Sequence, residues 1–202
     1  MRRVYLVRHA ATEWSGTRLC GTTDLPLSPA GRAQADRLAA RLVDAGISAT
    51  AVRSSPARRA LETAQPLALA LGAHLEVDAR LREADFGLAE GCAFDEVERV
   101  WPTIARALLA EGGDIDWPAG ERASELRDRV AAVARDLEDV GEENLVLVTH
   151  GGPIRCLVAR LGLDVDAKVG PAEVLVLERG PTWRTGDPWS ATVDDAKGAP
   201  VR

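Results

Sequence analysis

Two of the chain's three histidines close an apolar run and open a loop of small residues. Val4-Tyr5-Leu6-Val7 leads into Arg8-His9, and Leu145-Val146-Leu147-Val148-Thr149 leads into His150-Gly151-Gly152. Short apolar runs of this kind read as buried strands, and open α/β sheets bind ligands outside the carboxyl ends of their strands. Arg8 carries a planar fork of donors suited to a phosphate or a carboxylate. His9 can serve as a general base, a metal ligand or a nucleophile, although by itself it reads at least as well as a satisfied histidine at a strand end. In Thr149-His150-Gly151-Gly152-Pro153 the backbone N–H groups can approach an oxyanion closely, and His150 adds a donor.

Two further pieces join these. Ser54 to Ala64 places Arg58 and Arg59 in the first turn of a helix that follows a strand. The helix dipole opposes cations there unless an anion sits between them and the helix N-terminus; for Arg58 a solvated surface position reads equally well. Glu83 lies in Leu81-Arg82-Glu83-Ala84-Asp85-Phe86-Gly87. A carboxyl group beside an anion-binding cleft has its protonated form favoured, which suits a general acid. On that segment alone, a surface glutamate paired with Arg82 is the better reading. His74 has no comparable setting and reads as a surface histidine. With no metal-ligand spacing in the sequence, the inventory suits metal-independent phosphoryl transfer, in which positioning and charge stabilisation supply most of the rate.

The elements that must carry these residues alternate strand and helix. After the first strand and a loop from Thr12 to Thr23, Ser28-Pro29 reads as an N-cap with proline at the first helical position. The helix it opens runs through Leu42 and stops near Gly46. A strand over 47–52 and a helix over 57–71 follow; Pro66 predicts a kink or a restart in that helix. A short strand at 75–77 and a loop over 79–92 lead to helices near 93–110 and 121–140. The strand at 145–149, a helix over 153–161 and a strand over 173–177 complete the pattern. Alternation of this kind predicts an α/β fold with a mostly parallel sheet, with a small helical lobe from the 84–142 segment. Residues 1–180 read as one domain. Residues 181–202 read as an irregular C-terminal tail that Trp183 and Trp189 could dock on the body.

Bulk properties narrow the field. The chain has 202 residues, 46% hydrophobic and 28% charged, enough for one well-buried core. No apolar run approaches a membrane span, and Met1-Arg2-Arg3 is followed by too few apolar residues for a signal peptide. The expected location is therefore cytoplasmic. Cys20, Cys92 and Cys156 lie far apart, which fits neither a disulfide framework nor a zinc site. A net charge of −6 disfavours nucleic acid as a partner.

Several ordered motifs together resemble the histidine phosphatase superfamily, also called phosphoglycerate-mutase-like. Arg8-His9-Ala10-Ala11-Thr12-Glu13-Trp14-Ser15 is similar to R-H-G-x-T-x-W-N. Gly21 to Ala35 follows G-x-x-D-x-P-L-[TS]-x-x-G-x-x-Q-A. Ser55 to Ala64 resembles S-x-x-x-R-A-x-x-T-A, which selects Arg59 over Arg58. Leu81-Arg82-Glu83 with Phe86-Gly87 and Glu90-Gly91 resembles the phosphatase branch, and Thr149 to Arg155 resembles [ST]-H-G-G-x-I-R. The likeness spans roughly residues 4–177 and implies a three-layer α/β/α sandwich.

It further implies His9 as the nucleophile that becomes phosphohistidine, and Arg8, Arg59, His150 and the Gly151 N–H as ligands of the phosphoryl oxygens. Glu83 would protonate the leaving oxygen and then activate water. Ser15 stands where the family has a phosphate-contacting asparagine, Ala10 replaces the usual glycine, and Cys20 takes a position that is threonine in mutases. Specificity is expected from Thr12, Cys20, Gly21 and Phe86, with Trp101, Trp117 and Arg106 as further candidates. The short acidic stretch Ala84 to Gly91 favours a hydrolase over a mutase. The resemblance implies no cofactor, no metal and a small phosphorylated metabolite as partner, and leaves a homodimer open. Among phosphatases the chain looks most like bacterial alpha-ribazole phosphatase-like members, a looser resemblance that equally describes a broad-specificity or sugar-phosphate phosphatase; a phosphoglycerate mutase and a non-catalytic phosphate-binding regulator are the alternatives.

Overall fold

The fold is that of a computed structural model, which describes residues 2–110, 114–139, 144–164 and 168–186. Alternation along the first strand, β1 (Arg2–Arg8), divides the core in two. Val4 and Leu6 enter one cluster, Tyr5 and Val7 the other, because successive side chains of a strand point to opposite faces. The remaining strands are β2 (Ala51–Ser54), β3 (His74–Val77), β4 (Leu145–Thr149), β5 (Val174–Arg179) and β6 (Trp183–Thr185). They form a six-stranded sheet in the order β3-β2-β4-β1-β5-β6. The first four are mutually parallel, while β5 runs antiparallel to β1, and β6 to β5.

Helices cover both faces, so the expected three-layer α/β/α sandwich with a mostly parallel sheet is the observed one. On the Tyr5/Val7 face lie α1 (Pro29–Asp44), through Leu38 and Leu42, and α2 (Arg58–Leu71), through Ala64 and Leu67. The Val4/Leu6 face is covered by α5 (Ala123–Asp139), through Val130, Val133 and Leu137, and α6 (Gly151–Arg160), through Ile154 and Leu157. Ser28 caps α1 as expected, its Oγ accepting from the Gly31 N–H at 3.0 Å.

Local differences from the sequence expectation each have a cause. The strand expected at 47–52 sits at 51–54, since Arg53 and Ser54 pair with Leu147 and Val148 while Ile47 packs on the core instead. Pro66 does not break α2: four buried residues flank it, Thr63, Ala64, Leu67 and Ala68, and their packing holds a turn that propensity alone would open. The helix expected at 93–110 is two, α3 (Phe94–Val100) and α4 (Pro102–Leu109). Trp101 between them has φ −132° and ψ 68°, because a residue before proline is driven out of the helical region.

Of the expected 84–142 lobe, the part up to Trp117 forms a separate cluster around Phe86, Val97 and Trp117, while α5 belongs to the sandwich. At the start of the expected irregular tail, Trp183–Thr185 is instead a strand, with Trp183 buried. Trp189 lies outside the described residues.

Candidate active site

The carboxyl ends of β1, β2 and β4 lie side by side at the centre of the sheet, and each delivers a polar residue to one spot. The His9 N–H donates to the Thr149 carbonyl at 2.9 Å and the Ser55 N–H to the Val148 carbonyl at 2.9 Å. Residues 9 and 55 thereby extend the ladder by one step, and His150 follows Thr149 at the same end. The rings of His9 and His150 lie 5.0 Å apart between centroids.

Each ring's tautomer follows from its neighbours. His9 Nδ1 is 2.8 Å from the Ala10 carbonyl, which can only accept, so Nδ1 carries the hydrogen. His9 is 7% exposed, and its pKa is pushed down to about 3, first by burial and then by the Arg59 charge. The ring is therefore neutral near pH 7, and its lone pair sits on Nε2. His150 is fully buried. Its Nδ1 lies 3.3 Å from Arg59 Nη2, which can only donate, so its proton sits on Nε2 and is given to Ser55 Oγ at 2.8 Å. Burial, followed by the proximity of His9 and Arg59, holds its pKa well below the usual value.

A cavity of about 470 Å³ opens onto this spot and is lined by Arg8, His9, Thr12, Ser15, Cys20, Glu83, Phe86 and Gly151. Arg8 gives Nη1–H to the Val169 carbonyl at 3.0 Å, and its buried Nε–H has no acceptor among the described residues. Burial lowers its pKa, so its charge is costly there and an anion in the cavity would offset it. The Glu83 carboxylate accepts from the Ala84 N–H at 3.0 Å and the Gly152 N–H at 3.4 Å. A Cβ on Gly152 would lie 2.4 Å from Glu83 Oε1, so only glycine leaves that carboxylate its place. The N-terminus of α6 faces the same region through Gly151 and Gly152, which favours an anion. Burial raises the Cys20 thiol's pKa and keeps it protonated. A second cavity of about 470 Å³ shares Glu83, Phe86 and Gly152 with the first and reaches Trp117.

Not every candidate reaches the cavity. Arg59 and His150 back onto His9 without lining it. Besides His150, the Arg59 fork meets the carbonyls of Thr23, Cys20 and Gly21 at 3.0, 3.1 and 2.8 Å, and its buried Nε–H lacks an acceptor among the described residues. The anion expected at the start of α2 is a protein carboxylate: Asp24 accepts the Arg58 N–H at 2.8 Å, and Glu62 pairs with the exposed Arg58 side chain at 2.7 Å. Ser15 Oγ faces the cavity and accepts the Thr12 N–H at 2.8 Å, which closes the loop. Gly21 is held from behind by Glu90, which accepts the N–H groups of Gly21, Thr22 and Thr23 at 3.0 to 3.3 Å. Phe86 stacks on Trp117 at 4.3 Å. Trp101 packs within the lobe, Arg106 lines neither cavity, and His74 is exposed on the edge strand β3.

Sequence reasoning missed Ser55, which fixes the His150 proton, and Thr63, whose Oγ1 accepts the Ala10 N–H at 3.0 Å. It also missed Glu90 and Arg155, the latter lining both cavities. All four stand inside the motifs quoted above, so the signal was present without a role attached to it. Among the described residues, no three His, Cys, Asp or Glu side chains are grouped to hold a metal. None of the described helices is long and apolar enough to cross a membrane.

The family model of the histidine phosphatase superfamily (branch 1) matches residues 4–181. The chain is 38% identical over 171 residues to the probable phosphoglycerate mutase GpmB of Salmonella paratyphi B, covering 83% of this chain and 79% of that protein. A mycobacterial glucosyl-3-phosphoglycerate phosphatase, solved with VO3, superposes with a TM-score of 0.79 at 30% identity over 95% of this chain and all (100%) of that one. A phosphoglycerate mutase from Thermus thermophilus superposes with a TM-score of 0.69 at 35% identity, over 87% of this chain and 92% of that one.

Proposed function

The chain belongs to the histidine phosphatase superfamily, and from that premise we propose that it is a metal-independent phosphomonoesterase. Its substrate class is a small phosphorylated metabolite. The observation that carries the reading is the neutral His9, with its proton on Nδ1 and its lone pair on Nε2 at the wall of a cavity that also holds Arg8, Glu83 and the first amides of α6. In the first step, Nε2 forms a bond to phosphorus as the ester oxygen departs with its electron pair and takes the Glu83 proton. In the second, water, giving its proton to Glu83, displaces the imidazole and releases inorganic phosphate. Arg8 and the Gly151 N–H are the nearest ligands for the phosphoryl oxygens. The Arg59 charge stands one layer back, and its fork, like His150, reaches the anion by exchanging a protein partner for a phosphoryl oxygen. Ser15 Oγ is a further donor at the cavity wall.

Hydrolysis is favoured over mutase chemistry by the segment after Glu83. A mutase must keep water out and hold a second acidic group, yet Ala84 to Gly91 contributes Asp85 and Glu90 and no cation. The mutase reading has one point in its favour, the mutase names among the relatives. An assay on p-nitrophenyl phosphate and 3-phosphoglycerate, with and without chelator, separates the possibilities. Release of inorganic phosphate that survives chelation and vanishes in His9→Ala is the expected result. Isomer exchange without phosphate release would move the chain to the mutases, chelator-sensitive turnover would contradict the mechanism, and no turnover on any phosphomonoester would leave a phosphate-binding regulator.

A further inference from the structure

Behind the cavity, on α5, the Arg129 guanidinium uses all five of the N–H groups such a side chain owns. It holds Glu121 through both carboxylate oxygens, at 2.7 and 2.8 Å. Its other donors go to three backbone carbonyls of one short segment, those of Arg80 and Arg82 at 2.7 Å each and that of Glu83 at 3.2 Å. Both side chains of the ion pair are nearly buried, 9% exposed for Arg129 and 8% for Glu121. A buried ion pair adds little net stability, because desolvation offsets most of the attraction. Three directed bonds converging on the segment that carries a reactive carboxyl, with the other two N–H groups fixed by Glu121, therefore point to placement.

The surrounding contacts leave that segment few other ways to lie. The Glu121 N–H donates to the Asp85 carbonyl at 2.8 Å. Gly120 and Gly87 let two backbones touch: a Cβ on the first would lie 2.3 Å from the Asp85 oxygen, and on the second 2.2 Å from the Pro118 oxygen. On the sheet side, Thr149 Oγ1 donates to the Leu81 carbonyl at 2.6 Å, one residue before His150. The Glu83 backbone is thus registered against α5, the 117–121 turn and the end of β4.

We propose that Arg129, oriented by Glu121, is a positioning residue for the Glu83 carboxyl and sets the point at which a departing alcohol receives its proton. This rests on the reading of Glu83 as general acid. Arg129 touches no substrate. It acts through the backbone of residues 80–83, and lysine, with three donors and no fork, replaces it incompletely.

The test compares an aryl ester, p-nitrophenyl phosphate, whose leaving group needs little protonation, with an unactivated alkyl ester, glycerol 2-phosphate. Arg129→Lys, the double variant Arg129→Met/Glu121→Met and the benchmark Glu83→Gln are assayed on both. The double variant removes both charges together, so no lone charge is left buried should the lysine variant fold poorly. General acids contribute about 100- to 10,000-fold; a misplaced one is expected to lower kcat on the alkyl ester roughly 10- to 100-fold, against less than about 3-fold on the aryl ester. KM should stay within about 2-fold for both, since the interaction lost belongs to the transition state. A brace that serves only stability would slow both esters alike or neither, and either result overturns the proposal. If Glu83→Gln itself slows both esters equally, the acid assignment falls and this proposal with it. Discrimination in Glu83→Gln without any in the Arg129 variants refutes the positioning role alone.

Discussion

Burying a neutral imidazole among arginines ties the stability of this protein to pH, and His9 provides the measurable case. In the unfolded chain its pKa is near the ordinary value of about 6.5, whereas in the fold it is pushed down to about 3. Between those values the unfolded state binds one proton more than the folded state. Stability is therefore fully present above the unfolded pKa and falls as the solution is acidified towards the folded one. From pH 7 to pH 5, integrating one proton against an unfolded pKa of about 6.5 gives a loss of about 2 kcal/mol attributable to His9. His150, also lowered, shifts stability in the same direction. The window lies above the range in which most carboxylates titrate, so the histidines dominate it. His9→Gln keeps a neutral side chain of similar reach and removes the titration. Urea unfolding of both proteins at pH 7 and pH 5, in buffers free of phosphate, should show the native sequence losing about 2 kcal/mol more than the variant. Equal losses in the two proteins would mean that His9 titrates in the fold as it does in the unfolded chain, and the burial-driven neutrality of its ring would have to be withdrawn.

Gly152→Ala would bring a Cβ to 2.4 Å from Glu83 Oε1; the carboxylate can swing away, so the melting temperature should barely move while kcat on alkyl phosphates drops roughly 10-fold or more, and unchanged kcat would refute the contact. Glu90→Ala strips three backbone N–H groups of their acceptor. It should cost about 1–3 kcal/mol in urea unfolding and raise KM, because the loop it frees carries Cys20 onto the cavity wall. Thr63→Val leaves the buried Ala10 N–H without its partner and should destabilise the fold by about 1–3 kcal/mol; a loss below about 0.5 kcal/mol would show that the Ala10 turn is held by other contacts.

Much of this molecule is written in local pattern. The apolar runs ending at His9 and His150, Ser28-Pro29 at the start of α1 and the alternation of strand and helix follow from periodicity and capping alone, because each depends on neighbours within a few residues. The motifs likewise contain Arg8, Arg59, Glu83 and His150, which gather near His9. What residue types and spacing do not carry is which partner each group meets far along the chain, from 34 residues away for Asp24 and Arg58 to 161 for Arg8 and Val169. Only folding set Arg59 against His150 and the 20–23 carbonyls, behind the cavity. It also filled the start of α2 with Asp24 and left Arg8 with a buried N–H at the cavity wall. Trp183 joined the sheet, and Pro66 stayed inside a helix, because tertiary burial outweighed what each segment prefers alone. The protonation of His9 belongs to the same class: composition supplies the imidazole, but its pKa is a property of the water excluded around it and of a guanidinium that arrives from another element.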